Sequence, residues 1–216
     1  MYAIENKGVF LKLLNSGVNV VLPDGRHISS FSGFTEAELN QMGVYLVEEA
    51  SRPDDTWHNV IELAPVKEGN RYKRAYDLQP KPLEEAKRHL KELLTDHFKH
   101  VLDGGWLWQR SAEENHVVDS DMNARLNMVG LNSMAAAGAF DQIDFTLKNN
   151  TQIQVTATEM QTIANGLGAF SMQLHAIKQA RRTEIDALPD DPAVWAAYDV
   201  EKDFPPLPLV VEGADA

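Results

Sequence analysis

Cysteine is absent from the 216 residues of this chain. Its absence excludes disulfides, thiolate metal sites, iron–sulfur clusters and cysteine nucleophiles together. A basic surplus is missing too: 20 Lys and Arg stand against 32 Asp and Glu, a net charge of −12. A phosphate backbone repels such a chain, so no nucleic-acid partner is expected. Every apolar run is interrupted well short of the roughly 18 residues that span a bilayer, so no membrane insertion is expected. Met1 to Lys7 lack the basic, then apolar, then small-residue order of a secretory leader. The expectation is a soluble protein that first folds in a cytoplasm.

What is present is enough apolar material, 44% of residues, to bury a real core. The length suits one large domain or two small ones. The first 80 residues read as β-rich. Val18 to Leu22 form a β-branched run, Pro23-Asp24-Gly25 supplies a turn, and Arg26 to Ser29 return as a hairpin strand. Thr35 to Glu38 is a capping box that opens a short helix ending near Gly43. Three further strands are predicted at 44–47, 57–63 and 71–78. In the last, Tyr72, Arg74, Tyr76 and Leu78 share one face. Gln79-Pro80-Lys81-Pro82 then breaks the pattern and marks a domain boundary.

From Leu83 the period becomes helical. Leu83, Ala86, Leu90, Leu93, Leu94 and Val101 fall on one stripe, and Gly104-Gly105 ends it. Trp106 to Trp108 are a short strand or packed loop. A helix from Asp121 to Ala137 is predicted to bury Met122, Leu126, Val129, Ser133 and Ala136. A hairpin follows, Gln142 to Leu147 against Thr151 to Thr156. A second capping box, Thr156 to Glu159, opens a helix of about 30 residues reaching Leu188 and roughly 45 Å long. Met160, Ile163, Leu167, Phe170, Leu174 and Ile177 follow a 3-4 heptad spacing along it.

The fold expected is α+β: a β-rich domain at 1–80, then a mainly helical domain at 81–188 with an inserted hairpin at 141–156. An acidic, proline-containing extension occupies 189–216. From Glu184 onward nine acidic residues face one basic residue, Lys202, so this end carries −8 of the net −12.

The order of short patches in the second part resembles a known family. Tyr76 to Leu78, Pro82 to Lys87, Gly104 to Trp108, Asp119 to Leu126 and Thr151 to Met160 follow its sequence, and Ala196 to Pro205 is similar to its ending. Gly43 to Val47 before Pro53 also resembles its small leading segment. The family is an uncharacterised domain of tailed-bacteriophage and prophage tail proteins, encoded beside tail-fibre genes. The resemblance spans roughly residues 76–206. It departs at Lys202-Asp203-Phe204, where the family has Gly-Trp, and in ten further residues. It implies a non-enzymatic tail protein, in the virion or in the host cytoplasm during assembly. The partner implied is a tail-fibre or other tail protein. The alternatives it leaves are an assembly factor absent from the mature particle and a glycan-degrading tail enzyme. It brings no catalytic residues.

Several features carry a chemical and a plain reading. His89, His97 and His100 share a helix, with His116 further on, but no carboxylate completes a ligand pattern, so a polar helix face is favoured over a metal site. Glu84-Glu85 and Glu113-Glu114 could supply carboxylates for glycoside hydrolysis. Adjacent helical residues diverge by about 100°, which favours solvated surface. Trp106 and Trp108 would share a strand face, as a sugar platform or, preferred, as packing. Gly166 and Gly168 lie inside the long helix without the setting of a dinucleotide site, and mark close approach or a kink.

No cofactor, metal or catalytic group is therefore expected. The candidate partner-binding residues are Leu167, Phe170 and Leu174 on the heptad seam, and Phe204 and Leu207 on the stiffened extension. The seam either packs within its own domain or pairs copies into a homo-oligomer, and the extension is either a solvated tail or a docking peptide.

Overall fold

The computed structural model describes residues 1–209, which form a mixed α+β fold. The chain divides into two compact units, Met1–Lys81 and the part from Pro82 onward. Each is described by itself.

In the first unit, β1 (Tyr2–Asn6) and β2 (Val9–Leu14) form a hairpin. Its turn places Lys7 and Gly8 at φ 52° and 84°, the two positive values a twist-matched two-residue turn requires. Neither strand was assigned from sequence. A second hairpin, β3 (Val18–Val21) with β4 (His27–Ser30), follows as expected, turning at Gly25. Helix α1 (Glu36–Gln41) carries the capping box: the Thr35 hydroxyl accepts from Glu38 N, and the Glu38 carboxylate accepts from Thr35 N at 2.7 Å. Gly43, at φ 73°, redirects the chain into β5 (Val44–Glu48). The long pair β6 (His58–Glu68) and β7 (Arg71–Pro80) completes a five-stranded sheet of order β2-β1-β5-β7-β6. Only β5 and β7 run parallel. The core gathers Ile4, Val20, Leu22, Phe31, Leu39 and Val44, while Ala3, Val47 and Tyr72 form a smaller cluster.

The second unit opens with α2 (Leu83–Asp103), which buries Ala86, Leu90, Leu94, Phe98, Val101 and Leu102. Leu93, expected on that stripe, is exposed. The Trp106 segment is strand β8 (Trp106–Gln109), paired with β9 (Asn115–Val118), a partner not read from sequence. Helix α3 (Met122–Ala136) is capped by Asp121, whose Oδ1 accepts from Ala124 N at 2.7 Å. The inserted hairpin is β10 (Gln142–Thr146) with β11 (Gln152–Thr156), pairing Ile143 with Val155 and Phe145 with Ile153. Helix α4 (Ala157–Asp186) starts at the second capping box, closed by Thr156 N donating to Glu159 at 2.8 Å. Met160, Ile163 and Leu167 of its heptad seam, with the hairpins and Trp108, Met128 and Ala135, form the main core, while Leu174 packs with Phe98, Val101 and Leu102.

One expectation needs correction. The face of α3 assigned to the core is outside: Met122, Leu126 and Val129 are 65%, 65% and 67% exposed, while Met128 and Ala135 are buried. Here α3 is apolar on both stripes and holds one charge, Arg125, so its sequence does not mark a wet side. In the stretch after 188, Asp191-Pro192 opens a short helix, as its capping side chain and first-turn proline predict. Asp191 caps α5 (Pro192–Ala196), and Trp195 is 0% exposed with its indole N–H donating to Pro189 O at 2.8 Å.

Candidate functional site

The uncovered stripe of α3 borders a groove between α3 and α4 of about 620 Å³. Its walls include Met128 and Val129 from α3 and Gly168, Ser171, Met172 and His175 from α4. Met172 is 75% exposed. Arg125 ties the two helices: Nη1 donates to Ser171 Oγ at 3.0 Å and Nε donates to Asp121 O at 3.3 Å. Space above Gly168 and Gly130 is open, since a Cβ at either would meet nothing within 4 Å.

Charge is almost missing from this face. Residues 160–177 hold no Asp, Glu, Lys or Arg, and α3 holds only Arg125. The rest of the chain is not like this: α2 alternates Glu, Lys and Arg along its outer side. Loss of charge combined with Met and Arg is the compositional mark of a protein interface core. Single exposed apolar residues need no explanation, but a contiguous patch does. Flexible Met side chains suit a surface that moulds to another protein.

Of the five residues singled out from sequence, only Leu167 borders this groove, and it does so from the core side. Leu167 and Leu174 are 2% and 0% exposed, so the seam is internal and neither presents a surface to a partner. Phe170 is half-buried between the two core clusters of the unit. Phe204 packs on the domain itself, with its ring 4.9 Å from His97 and in one cluster with Phe98 and Leu174. Leu207 covers Gly104 and is partly exposed. Thus Phe170, Leu174 and Phe204 meet in one core cluster, and the 204–207 segment docks on its own unit. The remainder of the extension, 210–216, lies outside the described residues. Sequence reasoning missed Met172, read Gly168 as a close approach or kink although it faces open space, and misassigned Met122, Leu126 and Val129. The charge-free stretch from 160 to 177 was the available signal.

The other chemical candidates are structural. Trp108 is buried, and Trp106 lies against Gly166. Glu114 is held by His116 Nε2 at 2.7 Å and by Arg110, while Glu113 is exposed. Arg110 Nε donates to Glu159 Oε1 at 2.8 Å, and with the Thr156 N–H it pulls the Glu159 carboxyl down to about 2. His97 Nδ1 lies 3.6 Å from Glu201. Among the described residues no group of three or more His, Asp or Glu is placed to hold a metal ion. In the first unit Glu5 accepts from Lys67 Nζ and Tyr72 Oη, both at 2.7 Å. Burial would raise its carboxyl, but the Lys67 and Tyr72 hydrogen bonds outweigh this and hold it low.

No curated protein and no solved structure matches the chain. The sequence model of one family, "Domain of unknown function (DUF4376)", matches residues 85–202. That span runs from the first turn of α2 past α5, and so contains the whole α3–α4 face. With more than half of its length matched, the chain belongs to the DUF4376 family.

Proposed function

We infer that this chain is a non-enzymatic protein-binding component of a bacteriophage tail, associated with the tail fibres, and that it binds protein through the α3–α4 face. The observation that carries the binding reading is that face: Met122, Leu126, Val129 and Met172 exposed together on a surface with one charge. The tail-fibre part rests on the ordered resemblance over residues 76–206. An acidic body discourages non-specific contact with nucleic acid and leaves the uncharged face as the adhesive region.

Mass spectrometry of purified particles tests the assignment. A virion component is present at stoichiometric levels. Absence from particles, with co-purification beside the fibre in the producing cell, makes it an assembly factor that stays in the host cytoplasm. Absence from both removes the tail-fibre reading.

A further inference from the structure

We propose that the occupant of the α3–α4 face is a second copy of this chain, packed antiparallel across a twofold axis near Val129. The proposal rests on reading that face as a protein interface and names its partner. Three observations choose a copy of the same chain over a different protein.

The first is the order of side chains along the ridge. Met122, Leu126, Val129, Ser133 and Ala136 recur at spacings of 4, 3, 4 and 3, the seam that packs one helix along another. Size falls steadily from Met122 to Ala136, and Val129 is the middle residue of Met122–Ala136. An antiparallel copy centred there sets Met122 opposite Ala136 and Val129 opposite itself, with Leu126 within one residue of the level of Ser133. Large meets small on either side of the central Val129 pair, as interdigitated packing requires. The groove over Gly168 and the gap at Gly130 receive the longer opposing side chains. A twofold interface needs such self-complementarity, because one patch must fit itself.

The second is charge. Two chains of −12 repel each other over most of their surfaces. They can approach without like charges meeting only where charge is missing, and α3 with residues 160–177 of α4 is such a face. Its one cation, Arg125, is already tied to Ser171 and Asp121 of its own chain.

The third is area. At 1.5 Å per residue, α3 is about 22 Å long and the charge-free part of α4 about 27 Å. Laid 8–10 Å apart, they offer roughly 500 Å² in flat projection and more as side-chain surface. That is on the order of the 800 Å² per partner of a standard interface.

Sedimentation velocity of the purified full chain across a concentration series tests this. The wild type is expected to be a dimer whose stability is unchanged or raised by salt, since apolar burial and not ion pairing holds it. Leu126→Glu and Val129→Glu bury an unpaired charge and should weaken it by at least about 100-fold. Gly168→Leu, which fills the groove without touching the fold, should do the same. Leu93→Glu, at an exposed site on α2, should leave the dimer intact. Melting matched to the wild type at dilutions where both are monomeric separates lost pairing from lost folding. A wild type that is monomeric throughout overturns the proposal, as does a dimer that survives both Leu126→Glu and Gly168→Leu. A monomer that captures a synthetic amphipathic helix overturns it too and gives the face to another protein. None of these results bears on particle proteomics, so the tail-fibre reading stands or falls separately.

Discussion

The indole of Trp106 occupies the volume that any side chain at Gly166 would need. A strand residue of one hairpin is thereby keyed into a glycine in the middle of the longest helix. Glycine costs a helix about 1 kcal/mol relative to alanine, and here that cost is the condition for seating a tryptophan. Gly166→Ala should therefore destabilise the protein by about 1–3 kcal/mol through overpacking, despite its better helix propensity. Gly168→Ala, two residues on and facing open space, should stabilise it by up to about 1 kcal/mol. Chemical denaturation of the two variants checks both signs, and equal effects would contradict the Trp106 contact.

Leu167 and Leu126 exchange the roles that periodicity suggests. Leu167→Asp places a charge in the main core and should cost at least about 4 kcal/mol, enough to unfold a marginal domain. Leu126→Asp lies on the exposed ridge and should change the stability of the monomer, read at dilution, by less than about 0.5 kcal/mol. Circular dichroism melts distinguish them. A well-folded Leu167→Asp protein would contradict the internal seam.

Glu159 joins the α4 cap at Thr156 to Arg110 in the turn of the β8–β9 hairpin. Its folded carboxyl titrates near 2 against an ordinary value of 4.5, first because of Arg110. A lowered carboxyl stabilises the fold at pH above the unfolded value and loses that contribution as pH falls through the folded one. Glu159→Gln should therefore cost about 1–3 kcal/mol near neutral pH. The gap to wild type should shrink between pH 4.5 and about 2. A gap that stays constant across that window would show that the ionised pair contributes nothing.

Glu5 is the buried carboxylate of the first unit, flanked by Lys67, Tyr72 and Tyr45. Glu5→Gln keeps the shape but removes the charge that Lys67 faces. It should cost about 1–3 kcal/mol. Burial and the Glu5 carboxylate together push the Tyr72 phenol up to about 12, so the variant should lower its titration midpoint, read by ultraviolet absorbance. An unmoved midpoint would remove Glu5 as a cause.

Trp195 anchors the segment after Pro189. Its side chain is fully buried, Tyr198 donates to Arg181 O at 3.2 Å, and Asp203 pairs with the buried Arg181. Trp195→Ala should cost about 3–5 kcal/mol. A melting temperature unchanged by it would restore the reading of this stretch as a loose extension.

Much of the architecture was legible because local rules were strong. Both capping boxes, the Pro23-Asp24-Gly25 turn, the 142–156 hairpin and the long helix follow from short-range chemistry that tertiary context did not override. The first hairpin is illegible in the sequence because its signal is only Lys7-Gly8 between strands without clean alternation. Strand β9 was missed because four residues around His116 carry little pattern of their own.

The candidate site was less legible, and α3 shows why. A helix with charges on one side declares its wet face, and α2 does so. Helix α3 has apolar residues on two stripes and a single arginine, so periodicity offers two equivalent faces. The sequence by itself determined that 122–136 is a helix, that 160–177 is uncharged, and that the acidity gathers after Glu184. Only the tertiary structure decided which stripe of α3 meets Met160, Ile163 and Leu167. It placed Met128 and Ala135 inward and left Met122, Leu126 and Val129 uncovered. The physical reason is that burial is a property of a pair of surfaces. A sequence states what each surface is made of, and packing settles which of them are joined.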